Sequence, residues 1–191
     1  MNRYFNTCTM AIAILAASVA LTAGPVSNAD AKSKVNFRSE PWKLKKKFLP
    51  RIVDYSSQEK PGTIIINTSR RFLYLIQANG KAKRYGIGVG RSGFTWSGVE
   101  KISRKRKWPS WTPPAEMIAR DPTIPRFMKG GPDNPLGARA LYLGNTLYRI
   151  HGTAQPWSVG TNVSSGCIRL RNQDVEDLYS RVKVGTKVIV K

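Results

Sequence analysis

The sequence holds one histidine, His151, two cysteines, Cys8 and Cys167, and only 11 Asp and Glu against 32 Lys and Arg, a formal net charge of +21 over 191 residues. Each scarcity excludes something. Without a pair of histidines or a clustered set of cysteines the chain lacks the ligands of a structural zinc site. There is no Gly-rich loop ending in Gly-Lys-Ser/Thr and no G-x-S-x-G elbow, so phosphate-loop and serine-elbow chemistry lack their motifs. Long apolar runs are also missing. The main one, Met10 to Ala23, is shorter than the ~20 residues a membrane span needs. The shortage of acids points to an anionic neighbourhood such as nucleic acid, acidic lipid or a wall polymer with free carboxylates. The plainer alternative is lysines that keep the chain soluble.

Residues 1–31 read as a signal peptide, with Arg3 ahead of the apolar run and small residues behind it. Ala29-Asp30-Ala31 supplies a cleavage site before Lys32, and Ser27-Asn28-Ala29 a competing one two residues earlier; an uncleaved anchor is the alternative. Cleavage would remove one arginine and one aspartate and leave the charge near +21. It would also remove Cys8, leaving one thiol and no stable membrane span. Roughly 160 residues remain, enough for one domain with a proper core. The expected location is the periplasm or cell envelope, where nucleic acid is the least fitting of the anionic partners. In such an oxidising compartment Cys167 alone makes no internal disulfide, so it is either a reactive group or a small buried hydrophobe.

Residues 32–62 are Lys-rich and irregular, with Pro41, Pro50, Pro61 and the run Lys43-Leu44-Lys45-Lys46-Lys47. They read as a basic leader, mostly extended, that Trp42, Phe48, Leu49 and Ile52 could pin to a domain surface, or that could tether a wall polymer. The domain proper is expected over residues 63–191. Thr63 to Asn67 and Phe72 to Gln77 are β-rich, and Asn79-Gly80 turns into a third strand, Lys83 to Val89, an antiparallel meander. Gly86, Gly88 and Gly90 alternate, which allows another backbone or an elongated ligand to come close. Arg91 to Gly137 is punctuated by Gly, Pro and Trp and reads as a long loop containing the basic run Arg104 to Lys107. Its aromatics could line a glycan or peptide groove or pack over the sheet edge. Ala115 to Arg120 offers one short helical turn.

Strands are then expected over Ala140 to Leu143 and Leu147 to Ile150. Asn172 is placed to cap a helix over Gln173 to Val182, with Val175, Leu178, Tyr179 and Val182 on one apolar stripe. Lys183 to Lys191 supplies a closing strand. The pattern predicts a mostly-β domain with one or two short helices.

His151 and Cys167 lie sixteen positions apart, each beside a glycine and each at the end or start of a short apolar run. A free thiol, with its pKa near ~8.5, is only a few per cent thiolate at neutral pH, and a neighbouring imidazole is the usual activator. The alternatives are a hydrogen-bonded core histidine and a buried cysteine. The order of His151-Gly152, a polar loop with Pro156 and Trp157, and Ser164-Ser165-Gly166-Cys167-Ile168-Arg169 resembles the catalytic signature of the L,D-transpeptidases of the YkuD type. It departs at Ser165, where the family commonly has a second histidine. Tyr85 to Gly90 and Asn134 to Arg139 are also similar to family segments.

The resemblance implies the β-sandwich or barrel-like YkuD fold and an exported acyltransferase acting on peptidoglycan stem peptides, with no metal and no organic cofactor. By the same resemblance, Cys167 is the nucleophile and His151 its base, with the Gly152 carbonyl orienting the imidazole. The amides of Gly166 and Cys167 face the oxyanion, and Ser165 bears on the polar support around the thiol. Arg169 is a candidate for a substrate carboxylate, with a structural salt bridge as the equal alternative. The acceptor is open between a 3→3 cross-link, an envelope protein, a free D-amino acid and water. An inactive, basic peptidoglycan-binding protein is the competing reading, and oligomeric state is not legible.

Overall fold

The computed structural model describes residues 43–191; the expected signal peptide, Cys8, Trp42 and the leader up to residue 42 lie outside the described residues. Branched and aromatic side chains build the first half of the sheet. β2 (Ile64–Asn67), β3 (Phe72–Ile76) and β4 (Lys81–Gly86) form the expected antiparallel meander. Asn79 and Gly80 both adopt left-handed φ, 57° and 64°, which a tight hairpin turn requires. β4 therefore begins at Lys81, two residues earlier than expected. Ile64, Ile65 and Ile66 are all buried because β2 is covered on both faces. Ile64 and Ile66 face the main core, and Ile65 packs with Tyr74, Ile76 and Ala82.

The third strand ends at Gly86 rather than Val89. Val89–Gly90 is β5, which pairs in a separate two-stranded sheet with β9 (Asn162–Ser164). The alternating glycines admit the protein's own chain. A Cβ on Gly86 would meet Phe48, one on Gly88 the Ser158 carbonyl, and one on Gly90 the Phe94 carbonyl.

Two stretches differ from the expectation. The leader, from residue 43 on, is part of the fold: a 3-10 turn at Lys46–Phe48 precedes β1 (Arg51–Asp54), which pairs with β4 at the sheet edge. Phe48 is buried in the hollow left by Gly86 and Gly160, while Leu49 and Ile52 stay exposed. An edge strand with only Val53 partly buried shows no alternation to read. The second difference is β6 (Gly98–Lys107), ten residues where a loop was expected. Of its side chains only Ile102 is buried, so the apolar period that marks a strand is absent. Its register shifts between Ile102 and Arg104 against β7 (Arg139–Leu143).

The remaining elements are α1 (Ala115–Arg120), β8 (Arg149–His151), β10 (Ile168–Arg169), α2 (Asn172–Arg181) and β11 (Lys187–Val190). The nine-stranded sheet runs β1-β4-β3-β2-β11-β6-β7-β8-β10, with β11 parallel to β2 and antiparallel to β6. α2 and its C-cap residue lay Val175, Leu178 and Val182 on the main core as the stripe predicts. Asp177 fixes the helix to the sheet by accepting from the Tyr85 hydroxyl at 2.6 Å and from Lys83 at 2.8 Å. Asn172 does not cap the helix: the N-cap is Arg171, whose guanidinium makes two 2.7 Å bonds to buried Asp174.

Candidate active site

A cavity of about 510 Å³ lies between the ends of β8 and β10 and the loop that carries α1. His151 is the last residue of β8 and only 3% exposed. The parallel pairing of β8 and β10 sets Ile150 beside Ile168 and His151 beside Arg169. The backbone is pinned on both sides, by Leu170 N to the His151 carbonyl at 2.8 Å and Gly152 N to the Arg139 carbonyl at 3.0 Å. His151 Nδ1 lies 2.5 Å from the Gly152 carbonyl. A carbonyl only accepts, so Nδ1 carries the proton and Nε2 keeps its lone pair. Burial, then the charge of Arg169 and more weakly that of Arg149, pushes the imidazole down to about 3. It is therefore neutral at pH 7, with the Nε2 lone pair unprotonated.

Cys167 sits one residue before β10, partly exposed, in the same cavity wall. Its Sγ lies 3.7 Å from the Leu147 carbonyl, and no hydrogen bond joins it to His151 among the described residues. The turn before it is tightly built. Gly166 has φ 102°, and the Tyr148 ring occupies the space a Cβ would need. Trp96 stacks on Tyr148 at 4.4 Å and donates Nε1 to the Gly166 carbonyl at 3.0 Å. Ser164 Oγ donates to the Cys167 carbonyl at 2.6 Å and accepts from Gly166 N at 3.2 Å. The Gly166 amide is thus engaged. Among the described residues, the amides of Ser165 and Cys167 have no partner, and neither does the Ser165 hydroxyl in the cavity wall.

Arg169 lines the cavity with its Nε buried and unpartnered. Its Nη1 reaches Gln155 Oε1 at 3.5 Å, and no carboxylate pairs with it among the described residues. The structural salt bridge weighed from the sequence is not formed there. Nor do three His, Cys, Asp or Glu side chains converge as a metal site among the described residues, and no helix there is long and apolar enough to cross a membrane.

Sequence reasoning missed Asn172 as part of the site. Its Oδ1 accepts from Ala138 N at 2.9 Å and Thr153 N at 3.2 Å, clamping the segment that bears the Gly152 carbonyl to the start of β7. Gly137 and Gly152 are glycines where they are because a Cβ on either would strike that oxygen. Outside β6, the segment over residues 91–137 contributes Phe94, Trp111 and Met117 to the cavity, so two of its aromatics line a groove.

Fold and site together define a mixed, mostly-β domain that sets one thiol and one buried, neutral imidazole in the wall of a single cavity. The chain belongs to the YkuD family, the L,D-transpeptidase catalytic domain, whose family model matches residues 61–190. It is 38% identical over 135 residues to the "Probable L,D-transpeptidase YbiS" of Escherichia coli K12, covering 66% of this chain and 43% of that protein. The chain thus spans less than half the length of this curated relative. A crystal structure from Brucella melitensis, described as a "Probable carnitine operon oxidoreductase caia", is 49% identical with a TM-score of 0.52, covering 78% of this chain and 96% of that one. In this chain Gly88, Gly90 and Gly93 have the spacing of a dinucleotide fingerprint, but β6 follows them instead of the helix that fingerprint requires. An L,D-transpeptidase from Mycobacterium smegmatis shares the fold at 22% identity, with a TM-score of 0.53 over 68% of this chain and 58% of that one.

Proposed function

We propose that the protein is an exported peptidoglycan L,D-transpeptidase that works by cysteine acyl transfer. Cys167 Sγ attacks the carbonyl between the L-centre of diaminopimelate and the terminal D-alanine of a tetrapeptide stem. His151 Nε2 takes the thiol proton and returns it to the D-alanine amine as that group leaves, and a thioester remains. An acceptor amine or water then attacks the thioester carbonyl, giving its proton to His151 Nε2, which returns it to Cys167 Sγ as the thiol leaves. The side-chain amine of another stem's diaminopimelate gives a 3→3 cross-link, and a protein amine, a D-amino acid or water gives related products.

The Gly152 carbonyl holds the Nδ1 proton in place throughout. The free Cys167 amide donates to the developing oxyanion, a contribution commonly worth about 2.7–4 kcal/mol per donor. Arg169, unpaired in the cavity, receives a substrate carboxylate. Because Sγ rests against the Leu147 carbonyl, the thiol has to leave that contact before His151 can take its proton. Residues 1–31 direct export and are removed ahead of Lys32, and the catalytic domain occupies the chain from β1 onward.

The observation that carries this reading is the shared cavity: a thiol, a neutral imidazole with its Nε2 unprotonated and an unpaired arginine line the same walls. The test is mass spectrometry of a diaminopimelate disaccharide-tetrapeptide incubated with the protein, with Cys167→Ser and with His151→Ala, with and without a D-amino acid. Loss of D-alanine with dimer or exchanged product, absent in both variants, is the expected result. Untouched substrate together with a Cys167 that resists carbapenem acylation overturns the reading and leaves a peptidoglycan-binding module.

A further inference from the structure

A second cavity, of about 220 Å³, is walled by cations. Lys43, Lys45, Lys47 and Arg71 line it together with Phe48 and Trp157, and no acidic residue does. None of these four cations makes a salt bridge among the described residues. Like charges converging on so small a volume repel one another, and an anion between them turns that repulsion into attraction.

Arg71 carries two further signs. Its φ is 59°, a left-handed conformation that glycine adopts freely and arginine does not. The turn holds it there through Arg71 N to the Thr68 carbonyl at 3.2 Å and Ile87 N to the Arg71 carbonyl at 3.0 Å. A strained residue kept where glycine fits better points to a use for its side chain. The second sign is its Nε, which is buried without a partner, while Nη1 makes only a long 3.4 Å contact to Asn162. A guanidinium fork with open donors, flanked by lysine point charges, matches the oxygens of a phosphate group. Trp157, 55% exposed, adds a flat apolar wall to whatever bears that phosphate.

We propose that this cavity is a phosphate site, and that the phosphate it takes is borne on a sugar. It is separate from the candidate active site: the segment between His151 and Cys167 gives Gln155 to the first cavity and Trp157, Val159 and Thr161 to the second. Binding is therefore measured in the full chain carrying Cys167→Ser, where it does not depend on turnover.

The experiment titrates inorganic phosphate and, separately, glucose 1-phosphate while the amide resonances of Gly160 and Thr161 are followed by NMR. Saturable shifts are expected with both, tighter for the sugar phosphate, with that advantage lost in Trp157→Ala. Arg71→Gly relieves the backbone, so its thermal midpoint is expected to hold or rise while affinity for inorganic phosphate falls about tenfold, the scale of one charge-assisted hydrogen bond. Arg106→Gly on β6 makes the same change of charge away from the cavity and is expected to alter affinity by less than about twofold. The joint change of Lys43, Lys45 and Lys47 to Gln reads out the site with Arg71 intact and is expected to weaken phosphate at least as much as Arg71→Gly. No saturable shift, or equal weakening by Arg71→Gly and Arg106→Gly, overturns the site. Equal affinity for the two ligands in the Trp157-containing protein overturns the sugar.

Discussion

Arg169 and His151 are neighbours across the parallel pairing of β8 and β10, so a permanent positive charge is built beside a buried imidazole. Burial is the larger cause, and both act against the imidazolium. The folded imidazole sits near 3 against an ordinary value of 6.5. Between those values the unfolded chain binds a proton that the folded chain refuses, so stability rises with pH across that window. The contribution is fully present above about 6.5 and is lost as pH falls toward 3. His151→Gln cannot charge. Urea unfolding at pH 7 and pH 4 should show the parent losing on the order of 2–3 kcal/mol more than this variant. Parallel losses would mean that the burial of His151 carries no proton linkage.

Asn172 acts on His151 through the backbone that bears the Gly152 carbonyl. Asn172→Ala leaves two amides without their acceptor and should cost about 1–3 kcal/mol of stability. Turnover of the tetrapeptide should fall mainly in kcat, since no substrate contact is removed. Asn172→Asp keeps the acceptor oxygen and should recover part of both. A loss in KM alone would place Asn172 in substrate binding instead.

Arg169 has no acidic partner among the described residues, so its truncation breaks no internal ion pair. Arg169→Gln is expected to lower kcat/KM on a donor with free carboxylates about 10- to 100-fold, the value of a charged hydrogen bond. A donor amidated at those carboxylates should be affected far less. Equal losses on both donors would assign Arg169 to the fold.

Gly166→Ala demands both a left-handed alanine and a displaced Tyr148 ring. The backbone share alone is of order 1–3 kcal/mol. The variant should lower the thermal midpoint and slow carbapenem acylation of Cys167, because the stacked Trp96 and Tyr148 fix the turn that carries the thiol. An unchanged acylation rate would separate that aromatic pair from the reactivity of Cys167.

Phe48 reaches the hollow between Gly86 and Gly160 from outside the span the family model matches. Phe48→Ala should cost about 3–5 kcal/mol, as buried aromatic truncations do. Removal of residues 43–62 should destabilise the domain by at least as much. If a chain starting at Thr63 melts with the parent, the leader is only an appendage.

What the sequence makes legible follows from local chemistry. Asn79-Gly80 declares its hairpin because few other pairs accept two left-handed residues. The stripe of α2 is visible because Val175, Leu178 and Val182 repeat with the helical turn and meet one continuous core. β6 is hidden because its Lys and Arg side chains, Lys105 apart, face solvent on a strand in the middle of the sheet, held there by neighbours far away in sequence. Asn172 carries a capping residue's chemistry, yet its oxygen is used by Ala138 and Thr153, a tertiary choice that no local rule contains. The candidate site divides likewise: the Gly152 carbonyl on His151 was expected, whereas the capture of the Gly166 amide by Ser164 depends on how one turn folds back on itself.

In the main sheet, β11 alone joins the set β1 to β4 to the set β6, β7, β8 and β10. It also follows every other strand of the described residues in chain order. A chain emerging amino end first holds two half-sheets with open edges at β2 and β6, and neither can close on the other until residues 187–190 arrive. The exposure of such edges to aggregation grows with that wait. Chain order therefore acts as a latch. The elements that frame Cys167 and His151 are all made before the strand that locks them, so the thiol acquires its finished surroundings only once residues 187–190 have been made.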